Sequence, residues 1–505
     1  MNRSEMASVL WGLYEDALSY QTSLGIRRKI PEYIRFYEGE QWPAPTKSTK
    51  NLPRPVINIV KMICRIKKSA ILASPVRIIY KCADRGVNTQ RLNSFSESVL
   101  KELDQEELDR RAIDDGVKKG SYFYHYYWDA DKISQDGQGG IGCELIDPLN
   151  ILFENPHQLD EQRQKWIMIV SRERIGDILS RCDAEAEPSL IYPDSGTDTD
   201  SKRGLCTLLT VYYRRGGEVM CVQAVKGTVI RAPFPITPIS SENGDGKRRA
   251  RATLYPIVCG YYEKKDKCIY GLSEVEGLIP NQKAINFNIA MSLLNAQEVA
   301  WGKYVALPGA LKGQVISNAP GQVLIDYTGT GNGIKRMQDS YMQSFPVDLV
   351  KTVTDLTRSV TGTSEFMTGE VSGSGMSGTA IARLQSQAQV PLEELRAAFM
   401  SVKRKQGKVL AQFYKLYFPV KDFFYEDGEE YKRDSFSSHD YENAHLEVYA
   451  ESVLGVGASA AGDINMLDTV LKAGLISLDA YIRAYPEGAL TDKRRILREL
   501  TENKG

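Results

Sequence analysis

The sequence carries no excess charge of either sign. Lys and Arg together number 64, as do Asp and Glu, so there is no bulk basic field to hold nucleic acid by counterion release. Any nucleic acid the chain meets is expected to be held loosely. Cysteine is sparse. The eight cysteines include no CxxC pair, the closest two being Cys259 and Cys268, which argues against a zinc site or a disulfide framework and for scattered reduced thiols in a cytoplasmic setting. The four histidines, His125, His157, His439 and His445, are dispersed and lack the i,i+4 spacing of a helical metal site. No long apolar run is present either. The first residues, MNRSEMASVLWGLYEDALSY, carry acids early and lack an apolar h-region, which argues against a signal peptide. The most membrane-like stretch, PVINIVKMICRIKKSAILASP, holds Lys61, Arg65, Lys67 and Lys68, too many cations for a lipid-facing helix.

Catalytic signatures are missing as well. There is no GxxxxGK[ST] phosphate loop, HExxH, GxSxG elbow or EF-hand loop. Acid pairs such as Glu393–Glu394 and Glu429–Glu430 fall on helix or turn surfaces, where charge is usually solvated. No catalytic residue, metal or cofactor is expected, and the chain does not read as an enzyme.

What is present reads as a folded protein: 42% hydrophobic and 25% charged residues over 505 positions, enough for about three regions at roughly 150 residues each. Residues 1–37 have helical periodicity, followed by the Pro-punctuated loop EGEQWPAPTKSTKNLPRP. Pro55 suits the first turn of the next helix, whose stripe is Val56, Ile59, Val60, Ile63 and Ile66. VRIIYKC reads as a strand, and TQRLNSFSESVLKELDQEELDRRAIDDGVKKG as one solvent-facing helix ending at Gly116 or Gly120. The following strand alternates Tyr122, Tyr124, Tyr126 and Trp128 with Phe123, His125 and Tyr127. An aromatic face can stack bases, but two aromatic faces favour burial between layers. KWIMIVSRER, CTLLTVYYRRGGEVMCVQAV and TLYPIVCGYYEKK continue the β-rich character, with PDSGTDTDSKRG and SSENGDGKRRAR as surface loops.

From Tyr270 the pattern turns helical. Ser273 and Glu276 form a capping-box signature, and Val275, Leu278, Ile285, Ile289, Leu293, Ala296 and Ala300 mark one face, with Pro280 as a kink or restart. Asn281, Asn288 and Asn295 recur every seven residues on another face, either a solvated edge or a polar seam between neighbouring subunits. A Gly- and Pro-rich insert with short strands follows, then a second helix with Val350, Val353, Leu356 and Val360 on its stripe, stopped by Gly362. A third helical pattern of about 40 residues, roughly 60 Å long at 1.5 Å per residue, is interrupted only by Pro391. Its stripe includes Ile381, Leu384, Leu392, Leu395, Phe399, Val402, Val409, Phe413 and Leu416. A helix that long does not fit inside one small globule, so such stripes are expected to be buried largely against copies of themselves.

Between the second and third helices lies Gly373-x-Gly375-x-x-Gly378. A dinucleotide cradle needs a buried strand directly before the first glycine. Here TGTSEFMTGEVS is polar and broken by Gly362 and Gly369, so a pliable loop is favoured over a phosphate site. A nucleotide-dependent transferase using Gly373 to Gly378 remains the enzymatic alternative, and a ring-forming structural protein the alternative from the structural class.

The order helix, insert, return helix, pliable loop, long kinked helix resembles the portal proteins of tailed bacteriophages, particularly those of short-tailed phages. The resemblance rests on FYEGEQW, NIVKMICRIKKSAILASPVRIIY and DPLNILFEN. It rests most of all on PIVCGYYEKKDKCIYGLSEVEGLIPNQKAINFNIAMSLL and TGTSEFMTGEVSGSGMSGTAIARLQ. It implies a ring-forming α+β fold, usually dodecameric. The wing would be 1–272, the two stem helices 273–302 and 345–362, and the clip 303–344. The tunnel loop would be 363–378, a long kinked wing helix 379–418, a β part of the wing 419–462 and a short crown 463–505. It further implies a virion channel at one capsid vertex through which double-stranded DNA is packaged and ejected. Expected partners are the terminase large subunit, head-completion, adaptor or tail proteins, the scaffold and the major capsid protein, with no membrane. In the tunnel loop, Glu365 and Glu370 would repel phosphate, Ser372, Ser374 and Met376 would offer weak contact, and Gly373, Gly375 and Gly378 would allow flexing. Lys403, Arg404, Lys405 and Lys408 are candidates for DNA phosphate or inter-subunit contacts, and Lys312, Lys335 and Arg336 for contacts of the clip with partners.

Overall fold

A computed structural model describes residues 2–47, 49–73, 75–84, 86–132, 139–194, 204–237, 251–300, 304–317, 322–336, 345–363, 390–427, 430–442, 444–452, 458–485 and 496. The fold is α+β, with eleven α-helices and five sheets among these residues. The helices are α1 (Arg3–Ser23), α2 (Ile26–Glu38), α3 (Ile59–Leu72), α4 (Thr89–Glu102), α5 (Gln105–Lys119), α6 (Ile175–Ser180), α7 (Glu274–Ala300), α8 (Phe345–Val360), α9 (Glu393–Tyr417), α10 (Ala458–Lys472) and α11 (Leu478–Ala484). The chain divides into two units: Met1–Ile34 with Cys64–Glu276 and Glu365–Gly505, and Arg35–Ile63 with Gly277–Ser364.

The first unit holds a five-stranded antiparallel sheet, β4 (Ile151–Phe153), β5 (Trp166–Arg174), β6 (Leu205–Arg215), β7 (Glu218–Ala224) and β8 (Val229–Pro235), in sequential order. Helix α1 starts in a capping box, with the Asn2 amide donating to Glu5 at 3.1 Å. It lays Met6, Ala7, Leu10 and Trp11 against Leu152, Met168, Leu209 and Val222 of the sheet.

A three-stranded sheet in the same unit places β2 (Ser121–Asp129) between β3 (Gly140–Ile146) and β9 (Ile257–Tyr261). Tyr122 to Tyr126 are buried on both faces, so the aromatic strand is a core element and not a base-stacking platform. Its packing explains two glycines. Gly260 and Gly142 sit directly across the ladder from Tyr122 and Tyr127. A Cβ at these positions would lie 2.2 Å and 2.5 Å from those rings, so only glycine lets each ring lie flat on the neighbouring strand.

Two local expectations are corrected. The predicted solvent-facing helix before Gly120 is two helices, α4 and α5, broken at Asp104 with a φ of 50°. Helix α4 is not solvent-facing throughout: it buries Leu92, Phe95 and Val99. Pro55 does not open the third helix either. Asn58 does, its side chain accepting from the Lys61 amide at 2.9 Å, and Val56 and Ile57 are left exposed.

Helix α9 packs against β9, β1 (Val76–Cys82) and β14 (Leu446–Ser452), which pair with each other although they lie far apart in the chain. Gly407 makes that approach: a Cβ there would sit 2.4 Å from Val448 and 2.6 Å from Ile78. Near its end, Phe95 stacks on Phe436 at 4.1 Å and meets Tyr414, Phe418 and Phe423 edge-on. This joins α4, α9 and the hairpin of β12 (Val420–Asp427) and β13 (Glu430–Ser437) in one aromatic core.

Candidate functional site

The residues singled out by sequence fall on five segments: α7, the insert after it, α8, the Gly-rich stretch and α9. At the start of α7, Ser273 Oγ accepts from the Val275 amide at 3.1 Å. Glu276 does not close the expected box; its carboxylate is taken by Lys29 and by Tyr33. Burial pushes the Glu276 carboxyl up, but these two hydrogen bonds outweigh it and leave it below the usual carboxylate range. Glu274 pairs with Lys67 at 3.2 Å, both largely buried, and also accepts from Tyr262 at 2.8 Å.

In the second unit, α7 runs continuously through Pro280 and carries a polar core the sequence reading missed. Gln282 Oε1 accepts from the Ile59 and Val60 amides at 2.9 and 3.3 Å, capping α3 from outside. Its Nε2 donates to Ile57 and to Asn286, whose own amide donates to Gln41 at 2.7 Å. The signal was an i,i+4 pair of amides inside the apolar stripe between Leu278 and Ile289.

The three asparagines behave differently from one another. Asn281 donates to Thr357 on α8 at 3.0 Å, and Asn288 donates to its own helix at Ala284. Asn295 Oδ1 is buried with no partner among the described residues. Asn281 is therefore engaged within its own chain.

The apolar stripes of this unit are covered only in part. Leu278 and Ile285 are buried, whereas Leu293 further along the stripe is exposed, as are Phe287 and Met291 off it. On α8, Val350 and Val353 are half-buried, and Leu356 and Val360 are 59% and 85% exposed. The hydroxyls of Thr352, Thr354, Thr357 and Thr361 all bond to carbonyls four residues back, and the exposed Leu356 and Val360 stand beside the exposed polar residues Lys351, Asp355 and Ser359. In the insert, β10 (Tyr304–Ala306) pairs with β11 (Ile334–Arg336), placing Lys335 opposite Val305 and Arg336 opposite Tyr304. Lys312 sits over the Tyr327 ring at 4.8 Å. Val315 and Val323 are 76% and 80% exposed.

The four cations of α9 do not form one patch. Lys403 is buried, its side chain 4% exposed, and pairs with Asp109 of the same chain. Asp109 also accepts from Gln105 at 2.9 Å and Tyr124 at 2.8 Å, and Gln105 in turn from Tyr126. Lys405 pairs with the buried Glu161 at 2.8 Å. Burial pushes the Glu161 carboxyl above the usual range, with Lys405 pulling the other way. Burial draws Lys405 down, but the charge of Glu161 outweighs it and holds the ammonium above its ordinary value. Lys403 and Lys405 are thus internal ion pairs; Arg404 and Lys408 face solvent. The pairing with Asp109 and Glu161 is a tertiary event that no local pattern announces.

The candidate loop residues Glu365, Glu370, Ser372, Gly373, Ser374, Gly375, Met376 and Gly378 lie outside the described residues, as does the start of the long helix, 379–389. Among the described residues no group of three or more His, Cys, Asp or Glu side chains could hold a metal ion. No described helix is long and apolar enough to cross a membrane.

Residues 246–424 match the family model described as Phage P22-like portal protein. That segment contains α7, β10, β11, α8 and α9 and the Gly-rich stretch between the last two helices. No curated protein matches the chain. Among solved structures, a chain of "Virion of native gene transfer agent (GTA) particle" aligns over 89% of this chain and 91% of its own length, at 10% identity and a TM-score of 0.40.

Proposed function

We propose that this chain, which carries a P22-like portal segment over 246–424, is the subunit of a phage portal. It is a non-enzymatic ring at one capsid vertex through which double-stranded DNA enters and leaves. The match over helix, insert, return helix and Gly-rich stretch carries the reading. Two physical features support it. Apolar side chains on α7, on α8 and in the insert lack cover within their own unit, the condition for burial against neighbouring copies. A chain with balanced charge suits a conduit in which a duplex must slide and not stick.

In this reading 273–302 and 345–362 form the stem and 303–344 the clip, with Lys312, Lys335 and Arg336 among the groups that meet the terminase large subunit and later the adaptor or tail proteins. The 363–378 loop faces DNA. The ring, a dodecamer by family habit, nucleates assembly with scaffold and major capsid protein and resides in the virion. Deleting residues 368–377 tests the loop: rings still assemble while DNA packaging or retention fails. Loss of ring assembly on that deletion would show the segment to be a packing element instead.

A further inference from the structure

Within the first unit, one face of α9 forms the wall of a cleft of about 540 Å³ that the portal reading does not use. The other walls are the 251–254 segment and the stretch from Ala444 to Val448 that leads into β14. Arg251, Lys408, Lys415 and His445 line it, and none of its lining residues is acidic. Elsewhere on α9 the cations Arg396, Lys403 and Lys405 each have a carboxylate of the same chain at hand. Among the described residues, no carboxylate lies within ion-pair distance of Arg251, Lys408 or Lys415.

The cleft is held in shape by bonds that leave its cations free. Gln412 clamps the 251–254 wall to the helix, accepting from the Thr253 and Leu254 amides at 2.8 and 2.9 Å and donating to the Leu254 carbonyl at 3.1 Å. The His445 amide is tied to Asp84 at 3.1 Å. Among the described residues, half-buried Lys415 makes one hydrogen bond, to the Ala444 carbonyl at 3.3 Å, which leaves two N–H donors for an occupant. Burial depresses its pKa, with Cys82 and Glu442 pulling the other way.

We propose that this cleft binds phosphate groups, supplied either as free phosphate anion or as the backbone of a nucleic-acid strand. A phosphate monoester or free phosphate carries close to two charges and several acceptor oxygens on one tetrahedron, which suits an Arg fork and two ammonium groups lining one cavity. A lone carboxylate supplies half that charge and two oxygens. The volume lies in the range of small-ligand sites, about 300–1,000 Å³, and exceeds what a single water or ion needs.

The test is amine acylation of the full chain, read at Lys408 and Lys415 by mass spectrometry, with inorganic phosphate, a short DNA duplex, or glutamate as a carboxylate control. Phosphate in roughly tenfold excess over its Kd slows labelling at Lys415 about tenfold, while glutamate does not. Protection by inorganic phosphate assigns the free anion; protection by the duplex alone assigns the strand backbone. Arg251→Gln, at an exposed position, weakens the protecting ligand about tenfold without changing the thermal transition, and Lys408→Gln does the same at Lys415. The proposal is overturned if neither probe protects, if glutamate protects as well as phosphate, or if both substitutions leave the affinity unchanged. None of these outcomes depends on whether the chain forms rings.

Discussion

Helix α9 buries Phe399, Val402, Val409, Leu410 and Phe413 inside its own chain, under β1, β14 and the aromatic core around Phe95. Helix α8, with a stripe of similar spacing, leaves Leu356 and Val360 in the open. Periodicity identifies the face that must be kept from water, but it does not say which chain covers it. The cover for α9 comes from strands distant in sequence, and nothing within α9 distinguishes it from α8. The expectation that all the long helices depend on neighbouring copies therefore fails for α9 and stands as a proposal for α7 and α8.

Four experiments sharpen this contrast, ranked by effect on the stability of the single chain. Lys403→Met leaves Asp109 charged and buried, and is expected to cost about 3–5 kcal/mol by chemical denaturation. If Lys403 served DNA instead, its loss would spare stability and lower the salt dependence of DNA binding. Gly407→Ala drives a methyl into Val448 and Ile78 and costs about 1–3 kcal/mol in the same assay. Leu356→Asp with Val360→Asp changes single-chain stability by no more than about 0.5 kcal/mol each, yet abolishes self-association in analytical ultracentrifugation. A large loss of stability there would place the α8 stripe in an internal core.

The smallest effect is the acid response of the first unit. The His125 hydrogen bond holds the Glu144 carboxyl below its ordinary value. At Asp114, burial acts upward but the hydrogen bonds from Lys118 and Lys68 outweigh it. A depressed carboxyl contributes stability that is present above its unfolded value, 4.5 for Glu and 3.8 for Asp, and lost as pH falls through the folded value. Circular dichroism should show the unit weakening below about pH 4.5, by under about 0.5 kcal/mol per carboxyl at such partly exposed sites. Glu144→Gln should remove its share of that slope.

Much of the local structure was legible. The stop at Gly120, with its φ of 88°, follows from the glycine, and burial of the β2 aromatics follows from their presence on both faces. Asn58 is a local cap three residues before Lys61 that the choice of Pro55 passed over, whereas the break at Asp104 depends on backbone strain and the partners of Gln282 on residues distant in the chain, neither of which spacing encodes. The same holds for the α9 cations: a run of Lys and Arg reads as one basic patch until Asp109 and Glu161 are seen to claim two of its members. The order of helix, insert and return helix, by contrast, could be followed along the chain because glycine, proline and apolar period mark each change.

The central claim is that the uncovered faces of α7 and α8 are closed by identical copies. Electron microscopy of the purified full-length protein tests it most directly. The account predicts closed rings with a central hole, which Leu356→Asp with Val360→Asp reduces to folded single subunits. A monodisperse monomer at high concentration, with Leu293, Leu356 and Val360 packed inside one polypeptide, would contradict it.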